Sequence, residues 1–441
     1  MSVSRVVIIN DTSIARGGAT EVALAEATAL RARGVAVTLV TGDDGRNPLL
    51  TDLGIEVVAL AERPILEIAR LEGGLRGLFN RRAAEMLSRW IAKNDTPSTV
   101  YHLHNWSHIL SPSIFLPLKR VRGRLVMTIH DYFMACPNGG YLNYRRDTSC
   151  PLTPMSVQCL ATNCDRRNYA HKIWRVARQM SRKMIFDVQA EHPVMLTLHE
   201  GMRPYLVRGD LPASAMRVLR NPIRPFSPDR IPAEQNKEFI FVGRLEREKG
   251  PDLAARAARL AGATMRFIGD GPMRAELEKA YPEFIFSGWR SMEEIEPLVR
   301  SARALIMSSR VPEPFGMVAV EALWSGLPVI LTKEALLAEE IVERGVGLSC
   351  DVRDPEAFAE QIRRLLHDDR LVAAMSRRAV KTTQDMGNTA DQWAESLTAI
   401  LNDRVEITNP SPPNSAPVAI GRPSAQRIPR SARGSALRNS A

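Results

Sequence analysis

The chain has 441 residues, 45% of them hydrophobic and 24% charged, and a formal net charge of +10 at neutral pH. That length exceeds what one hydrophobic core usually organises, so two domains and a tail are expected. The composition is that of a globular chain, and no apolar run approaches the ~20 residues of a membrane-spanning helix, which excludes a protein that crosses a bilayer by helices.

At the N-terminus, MSVSRVVIIN leads straight into a short β-branched segment. It lacks the longer apolar region and small-residue cleavage site of a secretory signal, so a cytoplasmic location is expected. Short apolar runs then alternate with helical stretches: a strand at 5–10, a helix at about 21–33, strands at 35–42 and 55–61, a helix at 81–93, a strand at 99–105, a helical stretch near 107–118 and a strand at 124–131. This is the rhythm of a parallel sheet of at least five strands covered on both faces. Residues 132–165, rich in Cys, Pro, Asn and Gly, follow neither period and are expected to form a long functional insertion. A basic helix at about 166–188 and a strand near 192–198 close the first half.

The proline-rich stretch 217–238 reads as a linker, after which the rhythm restarts. Strands at 239–244, 264–269, 284–289, 304–309 and 328–333 alternate with helices, and further helices follow at about 354–367, 369–385 and 389–402. The expected architecture is α/β: two doubly wound, Rossmann-like domains, residues 1–215 and 216–402, facing a central cleft. Residues 403–441 are expected to be a disordered basic tail, because from Ile407 the Pro/Ser/Ala/Arg composition buries too little apolar surface to order itself. Arg422, Arg427, Arg430, Arg433 and Arg438 place half of the net charge there, with no acid among them. Ligands of open parallel sheets bind at the carboxyl ends of the strands, so the chemistry is expected on strand-to-helix loops.

One such loop is SSRVPEPFGMVAVEALWSGLPVI, residues 308–330. The amides of Phe315, Gly316 and Met317 open a helix without intrahelical partners, and with the helix dipole they form an anion site. Glu321 lies five residues into the helix, roughly 7.5 Å along its axis, and Glu313 lies before it. Carboxylates beside an anion site suit hydroxyls beyond the anion, as in a row of sugar, diphosphate and ribose; an exposed glutamate pair at a helix start is the alternative. A second loop, FVGRLEREKG (241–250), sets Arg244 and Lys249 just before a helix, where they either face a phosphate or lie solvated on the surface.

The first of these stretches resembles the Glu-x7-Glu signature of retaining GT-B glycosyltransferases, notably glycosyltransferase family 4, followed by that family's Gly-x-Pro-Val turn at Gly326, Pro328 and Val329. The resemblance spans about residues 5 to 402 and implies a GT-B fold. It implies that Glu313 contacts donor-sugar hydroxyls, that Glu321 contacts the nucleotide ribose, and that the amides of Phe315, Gly316 and Met317 lie on the donor. FVGRLEREKG is similar to the family's Gly-Arg-x4-Lys-Gly motif, which implies that Arg244 and Lys249 neutralise the departing nucleoside diphosphate with no metal or other cofactor required. TIHDY (128–132) resembles the active-site histidine loop, implying that His130 bonds the donor sugar near the reacting centre; Asp131 is expected to orient His130 or to help bind acceptor. IARGGAT (14–20) is similar to the glycine-rich loop in which Gly17 and Gly18 let the backbone approach phosphates and acceptor. It is not Gly-x-Gly-x-x-Gly, so a dinucleotide cofactor is not supported. FIGDGP (267–272) and FSGW (286–289) stand where the family builds its nucleobase pocket.

Cys136, Cys150, Cys159 and Cys164 depart from the common family pattern. Thirteen, eight and four residues separate successive members, and only the last interval falls within ordinary zinc-ligand spacing, so a structural zinc clip and unremarkable thiols both remain open. The basic groups of KRVRGR (119–124) and of the helix carrying Arg166, Arg167, Lys172, Arg175, Arg178, Arg182 and Lys183 read either as a solvated face or as a surface adhering to an anionic membrane leaflet. No nucleic-acid module accompanies them. The expected function is transfer of a sugar, with retention, from a nucleotide-sugar donor held by the second domain to a glycan or lipid-linked acceptor met by the first. A GT-B nucleotide-sugar epimerase and a non-catalytic sugar-nucleotide- or membrane-binding scaffold are the alternatives.

Overall fold

A computed structural model describes residues 2–15 and 17–408. The first half contains β1 (Arg5–Asn10), β2 (Ala36–Thr41), β3 (Glu56–Ala59), β4 (Thr99–Leu103), β5 (Leu125–Ile129), β6 (Leu142–Asn143), β7 (Thr148–Ser149), β8 (Val194–Thr197) and β9 (Met216–Val218). Seven of them form one parallel sheet in the order β3-β2-β1-β4-β5-β8-β9, and β6 and β7 pair as a separate antiparallel hairpin. The second half contains β10 (Glu238–Val242), β11 (Thr264–Ile268), β12 (Ile285–Gly288), β13 (Ala302–Met307), β14 (Val329–Thr332) and β15 (Gly347–Cys350), a parallel sheet in the order β12-β11-β10-β13-β14-β15. Strand order reverses between β1 and β4 in one sheet and between β10 and β13 in the other, and such reversals open a crevice at the carboxyl ends.

The helices between and around the strands include α1 (Gly18–Ala32), α2 (Arg70–Leu78), α3 (Tyr169–Ile185), α4 (Met317–Trp324) and α5 (Ala390–Thr408). Strand β1 shows why the first sheet is covered twice. Its Val7 and Ile9 enter the large core, whereas Val6 and Ile8 enter a second core with Val22, Ala23, Ala27 and Leu30 of α1. Successive side chains of a strand point to opposite faces, so an unbroken apolar run needs a cover on each side.

The expected rhythm is present, with differences at its weaker elements. The boundary expected at 215/216 falls just before β9, a three-residue edge strand of the first sheet too short to show a period. The helix expected to close the second domain instead packs on the first. In α5, Trp393, Leu397, Leu401 and Val405 form a stripe that joins the core of β1 and α1, and the Val3 N–H donates to Asn402 Oδ1 at 2.8 Å. The stripe is visible in sequence, but the sheet it seeks is not. Helix α5 runs to Thr408, so residues 403–408 of the expected tail are helical; the five tail arginines lie outside the described residues. No described helix is long and apolar enough to cross a membrane.

Candidate active site in the interdomain cleft

The second-domain wall is built by the loops after β10 and β13, neighbours at the switch point. They are tied together at Gly250, which has φ +67° and where a Cβ would overlap the Ser308 carbonyl oxygen. The Ser308 hydroxyl in turn donates to the Gly250 carbonyl at 2.7 Å, so no larger residue fits this junction. The junction brings Lys249 to Glu313: Nζ donates to both carboxylate oxygens, at 2.9 and 2.7 Å, and the Ser309 hydroxyl adds a third bond at 2.9 Å. Burial alone would raise the Glu313 pKa, but the charge and hydrogen bonds of Lys249 and the Ser309 bond outweigh it and hold the carboxyl below its usual range. Arg244 is half exposed and pairs with Glu246 at 3.0 Å. Both cations expected at the leaving group therefore already hold carboxylates, and Glu313, expected to contact donor-sugar hydroxyls, already receives three hydrogen bonds.

Gly316, in the left-handed region at φ +70°, turns the chain into α4, and Phe315 is buried beneath it. Glu321 is buried on the second turn, with no side-chain hydrogen bond among the described residues. Burial, and then the negative charge of Glu21 at the start of α1, push its pKa up to about 8, so at neutral pH it is mostly protonated.

The first-domain wall is made differently. Gly17 caps α1 and Gly18 opens it, and a Cβ at Gly18 would stand 3.4 Å from Met317 Sδ. Met317 packs against both cores, so the starts of α1 and α4 meet across the gap. At the end of β5, His130 Nε2 lies 2.9 Å from His104 Nδ1, and the chain of bonds continues inward: His104 Nε2 to Glu26 at 2.7 Å, Glu26 to His102 Nδ1 at 2.8 Å, His102 Nε2 to Thr128 Oγ1 at 2.8 Å. Burial would raise the Glu26 pKa, but the charges and hydrogen bonds of His102 and His104 bring it down to about 2. Desolvation lowers the pKa of His104 and takes that of His130 well below its ordinary value.

These directions assign the protons. An ionised Glu26 only accepts, so His102 Nδ1 and His104 Nε2 carry hydrogens toward it. Neutral His104 then has a bare Nδ1, to which His130 donates from Nε2, leaving His130 Nδ1 as an acceptor. Asp131, expected to orient His130, instead accepts the Phe133 N–H at 2.8 Å and shapes its own turn. His104 does the orienting.

Sequence reasoning missed Glu26, His102 and His104. The signal was available: two histidines alternating on an apolar strand share one face, and Glu26 lies in the apolar stripe of α1 among Val22, Ala23 and Ala27. Of the two readings of the basic helix, neither a solvated face nor a membrane-facing one holds for all of its cations. In α3, Lys172, Arg178 and Arg182 are buried while Ile173, Met180 and Met184 are exposed. Arg178 donates to the Ser107 carbonyl at 2.9 Å and lies over the rings of Trp106, Phe133 and Trp174, and Arg182 donates to the Met134 carbonyl at 3.1 Å. A guanidinium tolerates burial when carbonyls and aromatic faces receive its charge.

The insertion belongs to the first domain but reaches the loops of the second. Tyr144 Oη donates to Glu248 at 2.8 Å, Arg310 Nε to Asp147 at 2.9 Å, and the Ser149 hydroxyl to Glu334. Glu248 and Arg310 stand on the two loops that hold Lys249 and Glu313, so the insertion braces the second-domain wall from across the cleft.

Known proteins resemble this chain in parts of the sequence and in fold. Residues 224–382 match the family model described as Glycosyl transferases group 1, and residues 17–222 match that of a Glycosyl transferase 4-like domain. Among curated proteins, a glycogen synthase of Mycobacterium tuberculosis is 32% identical over 197 residues, 41% of this chain and 46% of that protein. The sulfoquinovosyl transferase SQD2 of Arabidopsis thaliana is 29% identical over 171 residues, 37% of this chain and 32% of that protein. The chain thus spans about half the length, or less, of the curated relatives it matches. Among solved structures, sucrose-phosphate synthase of Thermosynechococcus elongatus superposes with a TM-score of 0.66 at 18% identity, over 91% of this chain and 98% of that one. Anabaena HepE in complex with UDP and glucose gives 0.63 at 17%, over 90% and 98%. At these identities the likeness is one of fold. Residues 224–382 thus carry a domain of the group 1 glycosyl transferases and residues 17–222 a glycosyl transferase 4-like domain, and the chain has the GT-B fold of known glycosyltransferase structures.

Proposed function

We propose that the chain is a retaining glycosyltransferase that moves a sugar from a nucleotide-sugar donor to a glycan or lipid-linked acceptor. The observation that carries this reading is the meeting of two helix starts, at Gly18 and Met317, on the switch points of the two sheets. Their free amides and aligned dipoles favour a multiply charged anion, and a diphosphate fits that demand. Arg244 is half exposed beside them, and Lys249 retains one N–H beyond the two given to Glu313.

In this reading the bond from the anomeric carbon to the diphosphate oxygen breaks first, and its electron pair leaves on the phosphate. The acceptor hydroxyl bonds to the anomeric carbon from the same face, and its proton passes to the departing phosphate oxygen. Glu313, fixed by Lys249 and Ser309, uses its remaining lone pairs for donor-sugar hydroxyls. The amides of Phe315 to Met317 hold the donor, Glu321 meets the ribose, and His130 offers Nδ1 to a sugar hydroxyl.

A surface on the first domain favours a lipid-linked acceptor. Leu71 and Leu75 on α2 are 79% and 62% exposed, and Met180 and Met184 on α3 are 50% and 76% exposed. The two helices are joined by a bond from Trp174 Nε1 to the Gly74 carbonyl at 2.8 Å. Exposed Arg81 and Arg82 and half-exposed Lys183 border this apolar face, the pattern of an element that settles into an anionic lipid interface.

The test is a thermal-shift screen of nucleotide sugars, beginning with UDP-glucose, followed by transfer and donor-hydrolysis assays. A selective donor should raise the melting temperature by mass action, and Glu313→Ala and His130→Ala should abolish turnover in a folded chain. Variants that turn over like the parent, or no stabilisation by any donor, would overturn the reading; an epimerised sugar released without acceptor would favour the epimerase. Flotation with anionic liposomes checks the lipid face, and Leu71→Asp with Met184→Asp should reduce it.

A further inference from the structure

One cluster of reactive side chains has no part in the cleft. Lys172, on the inner side of α3, is fully buried. A buried ammonium is costly unless an anion receives its hydrogen bonds, yet no carboxylate among the described residues forms an ion pair or hydrogen bond with it. The atoms that accept from its Nζ are two sulfurs, Cys159 Sγ at 3.4 Å and Cys164 Sγ at 3.3 Å. Asn138 extends the group: its Nδ2 donates to Cys164 Sγ at 3.5 Å, and its Oδ1 receives the Cys136 thiol at 3.2 Å. Cys150 directly follows β7, and the β6/β7 hairpin is fastened here by bonds from the Cys150 N–H to the Tyr141 carbonyl, 2.6 Å, and from the Tyr144 N–H to the Cys164 carbonyl, 3.2 Å. Two of the insertion's four cysteines thus touch one buried cation, Cys136 joins them through Asn138 and Cys150 through the hairpin backbone, and none is in a disulfide. The fifth, Cys350, is far off in β15 of the other sheet.

The segment supplying them has little structure of its own, namely the two-residue strands β6 and β7 and a helix at Val157–Ala161. It nevertheless holds Tyr144, Asp147 and Ser149 in position against the second domain. Small segments without a sufficient core are commonly held by a staple.

We propose that Cys136, Cys150, Cys159 and Cys164 bind one thiophilic divalent cation, zinc by preference, and that Lys172 is the charge-balancing hydrogen-bond donor to the tetrathiolate so formed. Binding releases four protons to solvent as four metal–sulfur bonds form, leaving a net double negative charge on the metal and its ligands. That is the counter-charge Lys172 otherwise lacks, and one ammonium offsets half of it. The Lys172 and Asn138 N–H groups then point at ligand sulfurs, the usual outer support of a thiolate site. An all-sulfur set selects zinc over calcium or magnesium. No three of these sulfurs lie within 4.8 Å of one another in this structure, so binding has to draw them inward, with Lys172 outside the shell.

The experiment is metal analysis of the untagged full chain, purified without chelator from zinc-supplemented cells and checked for folding by circular dichroism. About one zinc per chain is expected, with loss of the metal in Cys159→Ser/Cys164→Ser and no change in Cys350→Ser. Cobalt exchanged into the parent chain should give the intense visible bands of a tetrahedral thiolate site, a readout that does not require the double variant to fold. Lys172→Met should surrender zinc to a chelator at least about tenfold faster. A folded parent chain that holds less than about a tenth of an equivalent after incubation with zinc, or a metal content indifferent to the double substitution, would overturn the proposal. Neither result bears on sugar transfer, which is assayed separately.

Discussion

On the second-domain wall Glu313 stands ionised against Lys249 at 2.7 Å, whereas on the first-domain wall the ionised group nearest His130 along its hydrogen bonds is Glu26, one imidazole farther in. One wall carries paired full charges beside its helix N-terminus; the other, which has a helix N-terminus of its own at Gly18, carries neutral rings whose protons are assigned by a buried carboxylate. Coulomb attraction is strong but only weakly directional, while a chain of imidazoles supplies direction and almost no net charge. A wall of the first kind suits an anion, and a wall of the second kind suits a hydroxyl that must be held at one angle. The two walls thus offer different chemistry to one candidate cleft.

The contrast is broken most severely at the ion pair. Lys249→Ala leaves Glu313 without its counter-charge, and turnover measured as kcat/KM should fall by about 10²- to 10³-fold. The double variant with Glu313→Ala should be no worse than Glu313→Ala alone, because the two act as one unit. On the other wall, Glu26→Gln replaces a pure acceptor by a group that must donate from one side. If the amide donates toward His104, the relay reverses and His130 presents an N–H where it had presented a lone pair. A fall in kcat of about 10- to 100-fold is expected, with little change in melting temperature, and nitrogen NMR shifts of His130 should report the exchanged tautomer. An unchanged tautomer would remove the relay from the comparison.

Glu321 supplies a pH test. Its folded-state pKa of about 8 lies above that of an unfolded glutamate, so the contribution is fully present below the ordinary carboxylate range and is lost as pH rises toward and through 8. Stability should drop by about 1 kcal/mol between pH 7 and 8, and Glu321→Gln should flatten the melting curve across that interval. The smallest effect belongs to the brace. Tyr144→Phe removes one bond to Glu248 and should cost about 0.5–1.5 kcal/mol, read as a few-fold rise in donor KM with kcat nearly unchanged.

Much of this was legible beforehand, and the rest was hidden for identifiable reasons. The second-domain loops could be read because their constraints are short-range: Gly250 and Gly316 each take a backbone angle that other residues resist, and the charges they deliver lie within a few positions of them. Asp131 is adjacent to His130 in sequence, which suggests a pairing, but adjacent side chains at a strand end diverge, and the true partner comes from the neighbouring strand. The arginines of α3 suggest an outer face because charge usually seeks water, and nothing local reveals that the Ser107 and Met134 carbonyls and three aromatic rings receive them.

The amino-acid sequence by itself determined where strands and helices fall, which loops carry glycine, and that two doubly wound halves come one after the other, since periodicity and turn chemistry act over a few residues. Tertiary structure alone decided that α5 returns to the first sheet, that Glu26 meets a histidine 78 positions away, and that Cys159 and Cys164 both meet Lys172. A period tells which residues share a face, but the neighbour that face will find depends on how strands are ordered and helices docked, and that is settled by burial summed over the whole chain.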